Sequence, residues 1–212
     1  PGAPLGFEPP ALAAARDAVR AVSPSVHVVP TTPSGPRYLA TEAEFGLGLH
    51  HDVHGPWGHA SSREARIRYW QSDDALMRSE VGIAGASTVD VLERFGLNGH
   101  TTELTESWRH SSAWWVDKEA VPPADELADW VTASQARQAD LLAIAAAATK
   151  SRYPSCGGFL VWMGHDSFPC AVSLAILDVD GRPTTPSASA LARVLTTGSR
   201  PELERIAGSV DR

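Results

Sequence analysis

Ala75-Leu76-Met77-Arg78-Ser79-Glu80-Val81-Gly82 is the stretch from which the fold is read. Three apolar residues run into Arg-Ser-Glu, and a glycine follows two residues later. A buried strand leaving its sheet has this form: the interior takes the apolar residues and one carboxylate is delivered to the open end. On a regular strand Arg78 shares the face of Glu80. The segment therefore supports two readings, a structural Arg–Glu pair or a carboxylate exposed as nucleophile or base.

Outward from it, Gly157-Gly158-Phe159-Leu160-Val161-Trp162-Met163 is a continuous apolar run, as a buried parallel strand should be. It leads into Gly164-His165-Asp166-Ser167-Phe168-Pro169. Upstream, the β-branched run Val26–Val29 predicts a strand that ends in the proline-rich loop Pro30–Pro36. Leu47–His51 predicts another, followed by Asp52-Val53-His54-Gly55-Pro56-Trp57-Gly58-His59. That cluster lacks helical spacing between its histidines and sits beside Gly and Pro, so a substrate-contact loop or a solvated loop fits it better than a metal site.

Helical patterns separate these runs. Pro9-Pro10 opens the first, with Leu12, Ala15, Val19 and Val22 as its stripe. Ser61-Ser62-Arg63-Glu64 caps a second that runs to about Trp70, and Ser87-Thr88-Val89-Asp90 caps a short third through Phe95. The longest starts at Asp125 and keeps Leu127, Trp130, Val131, Ser134, Gln138, Leu141 and Leu142 on one face. A last helix spans about Ser187 to Leu195, and Pro201–Ala207 reads as one more short helical turn. Residues 98–124, with Trp108, Trp114 and Trp115, read as an irregular insertion.

Strand and helix thus alternate four times, with polar residues just after each strand. The fold class is α/β. In a β/α barrel the active site lies at the C-terminal ends of the strands, and four units are half of such a barrel. An open doubly wound sheet fits the alternation equally well, without a Gly-rich phosphate loop to support it.

The composition bounds the function. With 43% hydrophobic and 20% charged residues over 212 positions, the chain has enough for one sizeable core. A net charge of -7 and the lack of any Lys/Arg run argue against a nucleic-acid partner. No apolar stretch is long enough for a membrane span. Two cysteines, Cys156 and Cys170, with no CxxC give neither a disulfide scaffold nor a zinc site. Seven Trp against three Tyr suits either a large core or stacking on sugar faces. The chain opens at Pro1 and reads as a piece of something longer; a cytoplasmic location is expected, with secretion left open.

Several segments, in order, resemble glycoside hydrolase family 2, and its β-mannosidase-like branch most. Cys156–Trp162, Asp166-Ser167-Phe168-Pro169 and Asp178-Val179-Asp180-Gly181-Arg182-Pro183 look like that family's closing strand and exit. Ser79-Glu80-Val81-Gly82 is similar to its Ser-Glu-Phe-Gly nucleophile motif. Val29-Pro30-Thr31-Thr32-Pro33-Ser34 resembles the loop after its fifth strand, and Ser134–Ala139 the helix before its eighth.

The resemblance implies that residues 1–197 are the C-terminal half of a (β/α)8 TIM barrel, strands five to eight, with 198–212 a tail or the start of a linker. It implies a retaining exo-acting β-glycosidase with β-mannosides favoured; β-galactosidase, β-glucuronidase and exo-β-glucosaminidase specificities, or a degenerate sugar-binding segment, are the alternatives. Glu80 is implied as nucleophile on the seventh strand and Trp162 as the indole that floors the sugar subsite. His51, His54, Trp57, His165 and Asp166 are candidates for hydroxyl contacts or for loop-structural roles. The family's acid/base is the Glu of an Asn-Glu pair; Asn98 is the only Asn here, and no such pair occurs. Met163, His165 and Phe168 stand where the family usually has Gln, Asn and Trp, which leaves the sugar open. No cofactor or metal is implied. The expected partners are a carbohydrate substrate and a missing N-terminal part of the same enzyme, with self-association of the open half-barrel. Asp178 and Asp180 belong to a turn rather than to a calcium site.

Overall fold

The computed structural model describes residues 4–57, 62–96, 124–183 and 186–208. The predicted insertion, apart from Ala124, and His59 lie outside them.

The central layer is a four-stranded sheet in the order β1-β2-β3-β5. Its strands are β1 (Gly35–Pro36), β2 (His50–His54), β3 (Met77–Val81) and β5 (Phe159–Val161). β2, β3 and β5 are mutually parallel; β1 runs antiparallel along the edge of β2. β4 (Gly85–Ala86) and β6 (Val172–Ser173) form a small antiparallel pair beyond the main sheet. The architecture is mixed α/β, with parallel strands and flanking helices.

Two predicted strands differ. Val26–Val29 forms no strand and pairs with nothing in the sheet, and Val26 and Val29 are 42% and 39% exposed. The edge of β2 that it would need is taken by Gly35–Pro36 and by a parallel bridge from Leu39 to His54. The second strand starts three residues late, at His50 rather than Leu47. Gly46 and Gly48 adopt φ of +80° and +67°, turning the chain so that both amides donate to Asp74 Oδ2 at 2.9 and 3.4 Å. Asp52–His54, expected to follow the strand, are therefore part of it.

The helices are α1 (Pro10–Val22), α2 (Arg63–Ser72), α3 (Val89–Arg94), α4 (Leu127–Ser151), α5 (Ser187–Thr196) and α6 (Arg200–Ile206). Ser62 and Thr88 cap α2 and α3 by accepting from Ala65 N and Val91 N, as their sequences predict. α4 is the hub: its Ala143–Ala148 run is buried among Val81 of β3, Ile83 just after it and the apolar faces of α5 and α6. Methyl-sized side chains let those helices approach closely. The polar residues of α4 hold the strand exits. Ser134 Oγ accepts from Ala86 N at 2.8 Å, and Gln138 Nε2 donates to the carbonyls of Ile83 and Ala175 at 3.0 and 3.2 Å. Gln138 Oε1 accepts from Ser187 Oγ at 2.6 Å, which ties α5 to the same point.

The opposite face of the sheet is open. Leu160 is 55% exposed there, and β5 is the terminal strand. Among the described residues no helix is long and apolar enough to cross a membrane.

Candidate functional site

β3 carries Glu80 to the C-terminal end of the parallel strands. A register shift places Val53 of β2 opposite Arg78 and His54 opposite Glu80, so Ser79 is an extra residue on β3. The alternation of faces is broken there. Arg78 turns to the helix side, fully buried, with Asp73 and Tyr69; Val81 joins the core against α4; Glu80 remains half-buried on the open side. The expected common face for Arg78 and Glu80 is thus not formed. Arg78 pairs with Asp73, and the titratable neighbour of Glu80 among the described residues is His54, with Nδ1 to Oε2 at 3.4 Å.

Aromatic rings surround that pair. The His54 N–H donates to the Tyr38 carbonyl at 3.0 Å, and its ring meets Tyr38 edgewise at 5.3 Å between centroids. Trp57 lies edgewise to His54 at 6.0 Å and to Trp162 at 5.9 Å. Tyr38, His54, Trp57 and Trp162 therefore form one wall around Glu80. Backbone bonds fix it: Trp162 N–H donates to Val81 O at 2.9 Å, and Gly82 N–H donates to Pro56 O at 3.3 Å. Gly82 must be glycine, since a Cβ there would lie 2.3 Å from the Trp162 carbonyl oxygen and 2.8 Å from Leu174 Cδ1. The Trp162–Met163 peptide is cis.

Burial governs the charges. It raises the Glu80 carboxyl above its ordinary 4.5, with the Trp57 indole opposing in part. It lowers His54 below its ordinary 6.5, with the nearby Asp52 opposing. Burial thus disfavours charge on both members of the pair, and the two His54 ring nitrogens make no hydrogen bond among the described residues. Asp52 is held by Ser34 N–H at 2.8 Å.

The remaining predicted residues lie elsewhere. His51 is exposed between buried His50 and Asp52, on the alternate side of the strand. His165 is exposed on the loop after β5 and bridges by its backbone to Leu177. Asp166 is buried on the same loop, accepting from Ser173 Oγ at 3.1 Å while its N–H donates to Leu177 O at 3.1 Å. Burial pushes its carboxyl up to about 6, with Ser173 and His165 opposing and Asp178 adding to the rise. Asp178 Oδ1 accepts from the amides of Asp180 and Arg182, both at 2.9 Å, which makes the turn. Tyr38 and Asp52 were not singled out in the sequence. Asp52 stands two residues before His54 and was legible by strand parity, whereas Tyr38 arrives from a loop with no local signal.

A cleft of about 1210 Å³ opens at the other end of β3, lined by Trp70, Asp73, Asp74, Arg152 and Arg200 among others. Asp73 and Asp74 are already committed there to Arg78, Arg152 and His50. Among the described residues no three His, Cys, Asp or Glu side chains converge as a metal site would need.

No family model matches the chain, and no curated protein matches it. Among solved structures it is similar to the β-D-mannosidase from Dictyoglomus thermophilum, with a TM-score of 0.56 and 16% sequence identity. That match covers 68% of this chain and 18% of the other, so the chain spans less than two thirds of that protein's length. The likeness is one of fold: the parallel strands and flanking helices described above are an arrangement that a glycosidase also contains.

Proposed function

We propose that the chain is part of a retaining exo-acting β-glycosidase, the half of a (β/α)8 barrel that holds strands five to eight, with Glu80 as nucleophile. The observation that carries this is Glu80 itself, a carboxylate at the C-terminal end of a parallel strand, not neutralised by Arg78 and walled by His54, Trp57 and Trp162. The family 2 resemblance of Ser79–Gly82 and the similarity to a β-D-mannosidase favour β-mannosides. Retaining enzymes hold two carboxyl groups about 5–5.5 Å apart, one attacking the anomeric carbon and the other serving as acid and then base. Here Glu80 attacks and Trp162 stacks on the sugar, with His54 and Trp57 on its hydroxyls. The acid/base comes from a separate N-terminal part, which completes the barrel. Alone, the chain is inactive on ordinary glycosides and associates through its open face.

The test avoids the missing acid. A 2-deoxy-2-fluoro-β-mannosyl fluoride needs no protonation of its leaving group, so Glu80 can be trapped without a partner carboxyl. A mass increase mapped to Glu80, absent in Glu80→Gln, is the expected result. Labelling elsewhere, or equal labelling of Glu80→Gln, would overturn the nucleophile assignment.

One observation favours a second reading, sugar binding without catalysis. A nucleophile must be ionised, and burial works against that at Glu80 while also disfavouring charge on the His54 beside it. Mannoside binding with no adduct on Glu80 would select it.

A further inference from the structure

We infer that Arg78 is a positioning residue: anchored on Asp73, its guanidinium holds the Gly55 carbonyl and thereby sets where Trp57 stands beside Glu80. The inference rests on the reading of Glu80, Trp57 and Trp162 as a sugar site.

Arg78 is fully buried, and its donors are spoken for. Nη2 pairs with Asp73 Oδ1 and donates to Tyr69 Oη at 3.0 Å, and Nε reaches Asp73 Oδ2 at 3.4 Å. The rings of Trp70 and Tyr69 cover the guanidinium at 5.2 and 5.5 Å. Nη1 leaves this floor and donates to Gly55 O at 2.9 Å. The anchor does not depend on Arg78 alone. Arg152 Nη2 donates to Asp73 Oδ2 at 2.5 Å, and its Nη1 donates to the carbonyls of Asp73 and Ala75 at 2.7 and 3.1 Å.

Gly55 has φ +77°, a conformation suited to glycine, and this turns the chain toward Trp57 two residues on. The next carbonyl, that of Pro56, accepts from Gly82 N–H at 3.3 Å. The strand segment that carries Glu80 therefore grips the Trp57 loop on both sides of it, by Arg78 two residues before and by Gly82 two residues after. Trp57 and Glu80 are locked in register by these two bonds. A planar guanidinium can serve Asp73, Tyr69 and Gly55 together; a lysine ammonium has neither the fork nor the reach to do so.

The experiment is fluorine NMR of the 212-residue chain labelled with 5-fluorotryptophan. Trp57→Phe assigns the Trp57 signal, and Trp130→Phe assigns, as a nearby reference, an indole on α4 in the apolar cluster that Trp57 packs against. Arg78→Lys keeps a cation for Asp73 and is expected to displace the Trp57 signal well beyond any shift at Trp130. Arg152→Gln weakens the floor without touching the Gly55 bond and is expected to move Trp57 less. A Trp57 signal unmoved in folded Arg78→Lys, or moved equally by Arg152→Gln, would overturn the assignment and leave Arg78 a stabilising residue only. If Arg78→Lys does not fold, Tyr69→Phe decides: it removes one anchor of the guanidinium, and the Trp57 signal either shifts with it or, by staying fixed, refutes the link. None of these signals requires glycoside chemistry, so a failure to label Glu80 leaves this test independent.

Discussion

Arg78 and Glu80 lie two residues apart on one strand yet face opposite sides of the sheet, because Ser79 is an extra residue in the pairing with β2. The guanidinium is spent on Asp73 in the helix layer, and the carboxylate is left on the open face beside His54. That division separates a paired buried charge from a partly open one within one short segment, and the variants below probe each side.

Glu80→Gln is expected to stabilise the chain at neutral pH. A carboxyl whose pKa is raised in the fold contributes stability that is present below its unfolded value of about 4.5 and is lost as pH rises through the raised value. Above that range the ionised group is a cost. Thermal melts should show Glu80→Gln above wild type at pH 7, with the two curves converging below about pH 4. A variant that melts lower at pH 7 would contradict this.

Asp166 gives the same sign in a wider window. Its stabilising contribution is present below its ordinary 3.8 and is lost as pH rises through about 6. Wild type should lose stability relative to Asp166→Asn across that interval, as read by urea midpoints at a series of pH values. Parallel pH profiles for the two chains would refute it.

Asp73→Ala should be severe. It removes the carboxylate shared by Arg78 and the half-buried Arg152 and leaves the buried Arg78 guanidinium without its counter-charge. The expected loss is about 3–5 kcal/mol in chemical denaturation.

Gln138→Leu tests the latch between α4 and the strand exits. Leucine has similar volume but strands the carbonyls of Ile83 and Ala175 and the Ser187 hydroxyl. Each buried polar group left unpaired costs roughly 1–3 kcal/mol, and the sum should lower the urea midpoint without changing the m-value. A neutral result would mean that water replaces the amide.

Leu160→Lys tests the open face. An exposed leucine on an apolar terminal strand invites pairing with another copy, and a charge there opposes it. Sedimentation should show self-association of the wild-type chain that weakens in the variant. A stable wild-type monomer would count against the half-barrel reading.

The sequence was informative where local chemistry decides structure. The caps at Ser62 and Thr88, the Asp178 turn and the apolar runs of β3 and β5 are all set by neighbours within a few residues. It was silent where a distant partner decides. Val26–Val29 has strand composition, but the edge it would need is occupied by Gly35–Pro36. The bulge at Ser79 leaves no trace in hydropathy, so strand parity put Arg78 on the wrong face. Glu80, His54, Trp57 and Trp162 could be named as candidates, whereas their convergence needed the register of three strands, and Tyr38 enters from a loop with no periodic signal.

The contact at Gly82 has a consequence for how this surface can diversify. The α-hydrogens of one residue are all that separates the Glu80 strand from the carbonyl of Trp162. Substituting the Trp57 or Trp162 ring leaves that separation untouched, so the side chains around Glu80 can vary while the two strand ends keep their spacing. Any side chain at position 82 would instead drive the two strand ends apart and move every ring of the wall relative to Glu80 at once.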